Sequence, residues 1–434
     1  MRIGIIGGGL MGVALAYFLS ESGLDVTLLE QGNHLGGLND EIHFGEMRVP
    51  RYQNPILSGD LALLDLCARM GLQDEIVFQK AASGFVHEHK LYSMANLLDF
   101  LSFPVLNIRD RMRLGTLILR TQGKPDWASL DAVSAGEWLL QNCGPEAFDR
   151  LWRPLLEAKF DGVYDRVAAS YIWAWLNRMS SIRRMPSLEG KIGYLRHGHY
   201  SLVTALAKAF VERGGHVQYD TRVQEIELGD GRVQRIRATG NALEFDLTIA
   251  AIATPALLPL LPGISAEYRA SLAATKYLGL VCPVMVLDRP LSEFWTLNLT
   301  DPTIPFATVV EMPHPSYQGY TVVHLPRFTA PDNDWLGVSD EVIREAWVSH
   351  LKMIFPQFDE RSISHFAVSR SRYVEPVYSV GMLANRPAVM TPYAGLALVN
   401  SSQVYPELPT SNATVAHAQR VAQQIIQGQF QAIG

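Results

Sequence analysis

The hydrophobic pattern changes quickly along the first thirty residues. Arg2–Ile6 is a short apolar run that predicts a buried parallel strand. A helical apolar stretch runs from Met11 to about Ser22 and stops at Gly23, a residue suited to a helix C-cap. Asp25–Glu30 then predicts a second strand that ends in an acid. This succession of strand, helix and strand predicts the opening of an α/β sheet.

Later segments are of two kinds. Buried strands and capped helices return near the C-terminus, where residues 395–400 predict a strand and residues 411–427 a helix. Before them, residues 90–185 are helical and aromatic, whereas residues 258–378 are rich in strands. Ser201 predicts the N-cap of a further helix. At 434 residues the chain is too long for one ordinary core, and we expect two interleaved domains.

A glycine-rich turn joins the first strand to the first helix. Gly7, Gly9 and Gly12 have the GxGxxG spacing. Gly7 permits the tight turn, Gly9 lets the backbone approach a pyrophosphate, and Gly12 lets the helix pack closely on the strand. The helix N-terminus at Leu10 and Met11 offers free N–H groups and a positive dipole to phosphates. The spacing therefore predicts a dinucleotide site, the alternative being a purely structural turn.

Glu30 lies 18 residues after Gly12, at the end of the second predicted strand. A carboxylate there accepts hydrogen bonds from both hydroxyls of an adenosine ribose and would repel a 2′-phosphate. Glu30 is therefore a predicted ligand of the cofactor.

A second glycine pair, Gly36-Gly37, begins six residues after Glu30. Here the sequence resembles the FAD-dependent amine oxidase and protoporphyrinogen oxidase-like flavoprotein superfamily, in which the motif ExxxRxGGR follows the strand. In that superfamily the pair lets the chain pass close to the flavin-side phosphates; a plain Gly-Gly turn is the alternative. His34 and Leu38 replace the two arginines of the motif. Phosphate charge would then be met by the helix dipole or by a distant cation.

The resemblance implies an α/β fold in which a Rossmann-like FAD-binding domain of the three-layer GR2 type carries an inserted mixed α+β substrate domain. The implied boundaries are 1–89, 190–257 and 379–434 for the FAD-binding domain, and 90–189 and 258–378 for the substrate domain. Besides the glycines and Glu30, the implied contacts of FAD are Leu10, Met11, Gln31, Leu38, Val223, Asn400, Ser411 and Asn412. The helix that begins at Ser411 would point its N-terminus at the flavin and favour negative charge on the reduced ring.

Five residues are candidates for the substrate pocket. In relatives, the loop that carries Tyr52, Gln53 and Asn54 passes near the flavin ring, although a loop that only connects is the alternative. Trp295 and His324 lie in the strand-rich insert, which we expect to supply the pocket floor and lid.

One departure from the superfamily concerns a lysine. Its amine oxidases carry this lysine near the start of the strand that is predicted at Leu280–Leu287, where this chain has Val281 and Cys282. Lys276 lies several residues too early. The absence of this lysine argues against the oxidation of primary amines.

The resemblance implies an FAD-dependent oxidoreductase that takes a hydride from a small or apolar organic substrate, by C–N or C–C dehydrogenation. No His, carboxylate or Ser constellation indicates a hydrolase, and we assign no catalytic acid or base. Two alternatives stay open. One is a flavin-dependent mutase or isomerase without net oxidation. The other is a flavin-free binding protein of the escort-protein type, against which the intact glycines and Glu30 argue.

Composition narrows the class further. A net charge of −6 argues against nucleic acid as a main partner, and the basic residues form no run. Met1 leads directly into the first strand without a signal peptide, and no apolar stretch predicts a membrane-spanning helix. Three scattered cysteines indicate buried thiols in a reducing cytoplasm, and their spacing predicts no metal site. We therefore expect a cytoplasmic enzyme that acts on a small molecule.

An apolar patch stands out in the helical stretch. Leu97, Leu98, Phe100, Leu101, Phe103, Val105 and Leu106 precede a basic segment at residues 109–113. Such a patch could lie on a membrane surface, as in relatives with lipid-soluble substrates. The alternative, which we favour here, is a helix pair that packs on its own core.

Overall fold

The computed structural model describes residues 1–181, 190–313 and 319–428. The strands are β1 (Arg2–Ile6), β2 (Asp25–Leu29), β3 (Glu41–Phe44), β4 (Met47–Pro50), β5 (Ile76–Lys80), β6 (Ser83–His87), β7 (Lys90–Ser93), β8 (Lys191–Leu195), β9 (His216–Gln218), β10 (Val223–Gly229), β11 (Arg232–Ala238), β12 (Asn241–Leu243), β13 (Leu247–Ala250), β14 (Tyr277–Leu287), β15 (Thr296–Leu299), β16 (Thr308–Pro313), β17 (Thr321–His324), β18 (Arg327–Thr329), β19 (Ile363–Pro376) and β20 (Leu396–Leu398).

The helices are α1 (Leu10–Ser20), α2 (Leu61–Arg69), α3 (Leu97–Ser102), α4 (Ile108–Arg120), α5 (Trp127–Asp131), α6 (Ala135–Cys143), α7 (Pro145–Ala147), α8 (Arg153–Phe160), α9 (Ala169–Ser181), α10 (Tyr200–Glu212), α11 (Thr254–Leu257), α12 (Ala266–Ala274), α13 (Asp340–Ile354), α14 (Met382–Asn385) and α15 (Ser411–Ile426). None of them, in the described ranges, has the length and apolar character of a transmembrane segment.

A five-stranded parallel sheet forms the centre of the first unit, in the order β20-β13-β1-β2-β9. Helices α1, α2, α10 and α15 cover one face, where Ile3 and Ile5 are fully buried. The three-stranded sheet β10-β11-β12 covers the other face through Ile226 and Ile236, which pack on Ile6. Because both faces are covered, the strands read as apolar runs. The three layers confirm the predicted Rossmann-like architecture.

A second, larger sheet has the order β18-β14-β17-β16-β15-β6-β7, with β19 paired to β14. Successive side chains of β14 point to opposite faces. Val281, Met285 and Leu287 pack with α13, whereas Leu280, Cys282, Val284 and Val286 pack with β4 and the residues after it. This second face is therefore covered by the hairpin of β3 and β4. Helices α4, α6, α8 and α9 build a separate core around Trp152, Phe160 and Tyr171.

The structure differs from the sequence prediction at three elements. Helix α10 begins at Tyr200 with His199 as its N-cap, so the prediction of Ser201 was wrong; the Ser201 hydroxyl instead donates to the Gly198 carbonyl inside the first turn. Strand β14 begins three residues earlier than predicted. Strand β19, for which the sequence pattern predicts only Ile363–Ser369, extends to Pro376 because it pairs with β14 over nearly its whole length.

The larger sheet also crosses a predicted boundary. Strands β6 and β7 lie on either side of the boundary between residues 89 and 90, yet both belong to this sheet. The domain limits therefore stay a prediction.

Candidate functional site

The turn between β1 and α1 has the conformation that its glycine spacing predicts. Gly7 has a φ of +108°, and its N–H donates to the Leu29 carbonyl at 2.9 Å. A Cβ on Gly12 would lie 2.0 Å from the Gly7 carbonyl oxygen, so α1 can lie this close to β1 only with glycine there. A Cβ on Gly9, in contrast, would meet nothing within 4 Å. Open space therefore lies in front of Gly9, where the motif predicts a pyrophosphate.

The start of α1 faces this space without a cap. Gly9, the N-cap residue, has no side chain to bind the first turn, and the turn carries no acidic residue. Leu10 and Met11, the first two helical residues, are buried. Their N–H groups lie at the positive end of the helix dipole, which makes this end of α1 suited to an anion.

The Glu30 carboxylate lies at the mouth of the same turn. Its Oε2 accepts a hydrogen bond from the Gly8 N–H and its Oε1 from the Gly32 N–H, both at 2.8 Å. Two backbone donors therefore fix the side chain, while it remains half-buried. A carboxylate has room for further donors, such as ribose hydroxyls.

Val223 lies close to Glu30, whereas the side chain of Gln31 is exposed to solvent. The Thr221 N–H donates to the Glu30 carbonyl at 2.8 Å, two residues before Val223. Val223 itself is buried in the cluster that contains Ile6 and Leu29. The side chain of Gln31 is exposed. The structure therefore brings together Glu30 and Val223, the two predicted contacts of the adenosine end.

The second glycine pair closes onto the first turn. The Gly36 N–H donates to the Gly8 carbonyl at 2.9 Å. Gly36 and Gly37 have φ values of +132° and +57°, and a Cβ on Gly37 would lie 3.1 Å from the Gly9 Cα. Both glycine segments therefore border the same space.

The two positions that carry arginine in the superfamily supply no strong cation here. Leu38 is exposed, and the His34 imidazole lies 3.0 Å from the Asp40 carboxylate. Arg51 also pairs with Asp40, at 3.4 Å. The described residues around the turn therefore leave the dipole of α1 as the main source of positive potential.

Asn400 follows β20 and is held within the protein. Its amide Nδ2 donates to the Ile252 carbonyl at 2.9 Å and to the Thr254 hydroxyl at 3.1 Å. Its Oδ1 accepts from the N–H and hydroxyl of Ser402. These bonds use the side chain to build the turn after β20, so a contact between Asn400 and a cofactor stays a prediction.

The last helix starts on the same side of the parallel sheet. Thr410 caps α15 by accepting a hydrogen bond from the Ala413 N–H at 3.3 Å, which confirms the predicted cap region. Ser411 is the first helical residue, and the Asn412 Oδ1 accepts from the Leu63 N–H of α2 at 3.1 Å. Helix α15 also shares the buried core of α1. The N-termini of α1 and α15 thus belong to one packed layer.

Tyr52 and His324 lie together on the face of the larger sheet that β4 and the residues after it cover. Tyr52 packs with Leu280, Cys282 and Val284. His324 pairs with Val284 across the strands, and its Nε2 donates to the Pro50 carbonyl at 2.9 Å. We call Tyr52, Leu280, Cys282, Val284 and His324 the sheet wall.

The sheet wall is uncharged at neutral pH. Burial lowers the pKa of His324 to about 4, so the ring is neutral, and its Nδ1 has no hydrogen-bond partner among the described residues. Burial also raises the pKa of the Tyr52 hydroxyl, and it raises the pKa of the Cys282 thiol to about 12. An uncharged and mostly apolar wall suits an apolar ligand.

The other pocket candidates are not all in one place. The Asn54 amide donates to the Asn39 Oδ1 at 3.3 Å, and the Gln53 Oε1 is buried without a partner among the described residues. Trp295 packs instead with Leu57 and Ile192, in a cluster apart from Tyr52. The structure therefore places Tyr52, Gln53 and Asn54 in one segment, and His324 contacts this segment through Pro50. Trp295 lies in a different cluster.

Sequence reasoning missed a buried histidine beside this group. A narrow crevice is lined by Asn39, Asp40, Glu41, Pro50, Tyr52, Asn54, Gly198, His199 and Tyr200. His199 is buried, its Nε2 has no hydrogen-bond partner in the part of the chain that the structure describes, and burial lowers its pKa to about 4. The pair His197 and His199 reads as a turn in the sequence, because the residues that enclose His199 lie about 150 positions away. The crevice is bordered by Tyr52 of the sheet wall and by Asp40 and Tyr200, the neighbours of Gly36.

Comparison with known proteins agrees with this arrangement. The sequence pattern of the flavin-containing amine oxidoreductases matches residues 10–426. The chain belongs to this family. It is accordingly a flavin-dependent oxidoreductase, which confirms the predicted superfamily and enzyme class. The family match covers Gly12, Glu30, the second glycine pair and the start of α15.

Individual relatives are distant. A 15-cis-phytoene desaturase from Synechococcus elongatus is 23% identical over 98% of this chain and 96% of its own. A provisionally assigned protoporphyrinogen oxidase from Exiguobacterium sp. has a structure that matches with a TM-score of 0.78, at 21% identity over 99% of both chains. A reduced UDP-galactopyranose mutase matches with a TM-score of 0.75, at 14% identity over 100% of this chain and 96% of its own. These structural matches show the fold.

Proposed function

We propose that the flavin is FAD, held along the parallel sheet, and that the enzyme dehydrogenates an apolar organic substrate at C–C or C–N bonds. The observation that supports the proposal is the crevice that His199 lines. It is bordered by Tyr52 of the uncharged sheet wall and by Asp40 and Tyr200, the neighbours of the second glycine pair, which itself lies against Gly9.

The residues at the turn fit the adenosine and pyrophosphate parts of FAD. Gly9 leaves the space that a phosphate needs, and the uncapped start of α1 supplies the matching potential. Glu30 offers a fixed carboxylate to ribose hydroxyls, and Val223 gives an apolar neighbour for adenine. The predicted contacts of Gly36, Gly37, Ser411 and Asn412 are part of this proposal.

The sheet wall would position the substrate and exclude water. When bound, a flavin supplies the chemistry by accepting a hydride. The chain then has to hold the donor carbon in place and keep the site dry. Neutral His324, Tyr52 and Cys282 place no charge against the substrate, and no ammonium-bearing side chain is present on the wall. These features support an apolar substrate over a primary amine.

An anaerobic mixing experiment tests the proposed reaction. Purified enzyme with bound flavin would be mixed with 15-cis-phytoene in detergent and, separately, with putrescine, and its visible absorption would be followed. We expect the absorption of the oxidised flavin to fade with the polyene and to persist with the diamine. The product of the first reaction should contain additional conjugated double bonds.

Two results would contradict the proposal. Fading with putrescine alone would assign the enzyme to amine oxidation. Conversion of a substrate without any net loss of the oxidised-flavin absorption would indicate mutase or isomerase chemistry instead. This holds for a single turnover and for the steady state when no electron acceptor is present.

A further inference from the structure

A buried histidine, separate from the site residues described above, lies in the second turn of α15. His417 is 3% exposed, and both of its ring nitrogens have hydrogen-bond partners. Nδ1 lies 2.7 Å from a guanidinium nitrogen of Arg420, and Nε2 lies 3.1 Å from the Gln403 Oε1. The imidazole therefore joins an exposed arginine on one side to a buried glutamine on the other.

These two partners allow one form of the imidazole ring. A guanidinium group can only donate, so Nδ1 of His417 must accept the hydrogen bond from Arg420. The proton of the neutral ring is then on Nε2, which donates to the Gln403 Oε1. Burial lowers the pKa of His417 to about 4, and the positive charges of Arg420 and Arg386 act in the same direction. The ring is therefore neutral at pH 7, as this pair of hydrogen bonds requires.

Gln403 carries the link on to the end of β20. Its Oε1 also accepts a hydrogen bond from the Asn400 N–H at 3.0 Å, and its Nε2 donates to the Leu398 carbonyl at 2.8 Å. The backbone N–H of Gln403 donates to the Asn400 carbonyl at 3.2 Å. The glutamine side chain therefore bridges α15 and the last strand of the parallel sheet.

Asn400 extends the link to the turn that follows β13. Its Nδ2 donates to the Ile252 carbonyl at 2.9 Å. Ile252 lies against the glycine turn, because a Cβ on Gly7 would be 2.7 Å from the Ile252 Cγ2. Strands β20, β13 and β1 are neighbours, so the turns after them lie side by side at the carboxyl edge of the parallel sheet. Ligands of open α/β sheets bind at this edge.

We propose that His417 is a positioning residue for the cofactor and acts through Gln403. By tying α15 to the end of β20, it fixes the start of α15 relative to the carboxyl edge of the parallel sheet. Both segments carry predicted contacts of FAD, at Asn400, Ser411 and Asn412. The inference rests on the proposed function, because it requires that FAD lies along this edge. His417 does not touch the cofactor itself, but holds the groups that do.

Two amide substitutions at position 417 test the link, because they copy different halves of the imidazole. The Nε2 atom of a glutamine reaches the place of the histidine Nε2, whereas the Oδ1 atom of an asparagine reaches only the place of Nδ1. His417→Gln can therefore still donate to Gln403, and His417→Asn can only accept from Arg420. We expect His417→Gln to bind FAD as the parent does and His417→Asn to bind it about tenfold more weakly. Fluorescence titration of the flavin-free proteins with FAD measures both affinities.

Two further variants separate positioning from a general loss of stability. Gln403→Asn breaks the same link from its other end and should weaken FAD binding by about tenfold or more, so it carries the test if His417→Asn does not fold. Asp161→Ala is the matched control, because the Asp161 carboxylate accepts hydrogen bonds from Thr329 and Asn333 at the edge of the larger sheet. This control should lower the free energy of unfolding, measured with urea, and leave the affinity for FAD unchanged.

Equal affinity for FAD in the parent, His417→Asn and Gln403→Asn would overturn this inference and leave the proposed function standing. Equal weakening by His417→Asn and His417→Gln would also overturn it, because the Nε2 hydrogen bond would then not matter. The same holds if Asp161→Ala weakens FAD binding as much, since affinity would then follow stability. A parent that binds no FAD would overturn both the inference and the proposed function.

Discussion

Gly9 and Gly12 lie three residues apart and serve different purposes. A side chain at Gly12 would collide with the rigid Gly7 carbonyl, so this glycine is needed for folding. A side chain at Gly9 would meet only open space, and its φ of −72° is ordinary for any residue. We therefore propose that Gly9 is needed for the ligand that binds in front of α1.

We predict that Gly9→Ala lowers the affinity for FAD by about tenfold to a hundredfold, because the methyl group occupies the phosphate space. The free energy of unfolding of the flavin-free protein should change by no more than about 1 kcal/mol. Titration with FAD and urea unfolding measure the two quantities.

The matched control is Gly59→Ala, since a Cβ on Gly59 also meets nothing within 4 Å. It should keep both the affinity and the stability of the parent. Equal FAD affinity in Gly9→Ala and the parent would show that the phosphates lie elsewhere.

Single residues were predictable where chemistry demands one residue type at a fixed spacing. The glycines and Glu30 meet this condition, and the structure places them around one space. His199 does not meet it, because its burial arises from residues 39–54, far away in the sequence. Asn400 shows the opposite case. The sequence predicts that it contacts the cofactor, but its side chain is occupied by hydrogen bonds to Ile252 and Ser402.

Among the helices, a buried ion pair ties α9 to the start of α2. Arg178 donates to both carboxylate oxygens of Asp60, at 2.6 and 2.9 Å, and also to the Pro55 carbonyl. The Asp60 side chain is only 4% exposed and accepts from the Leu57 N–H as well. The pair thus joins the helical module to the segment that leads from Tyr52 into α2.

We predict that Arg178→Met destabilises the fold by about 3–5 kcal/mol, because it leaves a buried carboxylate without its cation. The double variant with Asp60→Asn should recover much of this loss, since no charge then remains. Urea unfolding of the parent, both single variants and the double variant gives the coupling. Additive effects would contradict the inferred ion pair.

Strand β17 carries a pH-dependent element. The pKa of His324 falls to about 4 in the fold because burial disfavours the charged ring, against an ordinary value of 6.5. A lowered folded-state pKa means that stability is fully present above pH 6.5 and is lost as the pH falls towards 4. The loss reaches at most about 3 kcal/mol, at about 1.4 kcal/mol for each pKa unit.

His324→Gln provides the test, because its amide can still donate to the Pro50 carbonyl but does not titrate in this range. We expect the advantage of the parent over the variant at pH 7 to shrink as the pH is lowered to 4.5, as measured by chemical unfolding. A constant difference across this range would show that His324 is not neutral and buried.

Elements were predictable from local pattern, and their partners were not. The helix predicted at residues 411–427 is observed as α15, Ser411–Ile426. Ser339 likewise is of a residue type that favours N-caps, and it caps α13. The pairing of β15 with β6 joins residues more than 200 positions apart, and no local signal encodes it. The start of α10 also differs from the local pattern: the N-cap is His199, and not the predicted Ser201.

For the whole molecule, the proposed function combines features of two sheets. The parallel sheet carries the glycine turn at Gly9, the larger sheet carries the uncharged wall, and Tyr52 of this wall borders the crevice beside His199. The sequence indicated two interleaved units and three buried, unpaired cysteines. In the structure the three cysteines are buried and form no disulfide. The sequence could not indicate which face of β14 is covered by β4 and the residues after it. These residues lie about 230 positions earlier in the chain, so no local pattern in β14 reveals the contact. The predicted cytoplasmic location stays a prediction.

Titration of the flavin-free chain with FAD and with FMN tests the central claim most directly. FMN lacks the adenosine that Glu30 and Val223 are placed to meet, and one hydrogen bond to a charged group contributes about 1.5–3 kcal/mol. The account predicts one FAD per chain, bound about tenfold or more tightly than FMN. A chain that binds no FAD, or that binds FMN equally well, would contradict it.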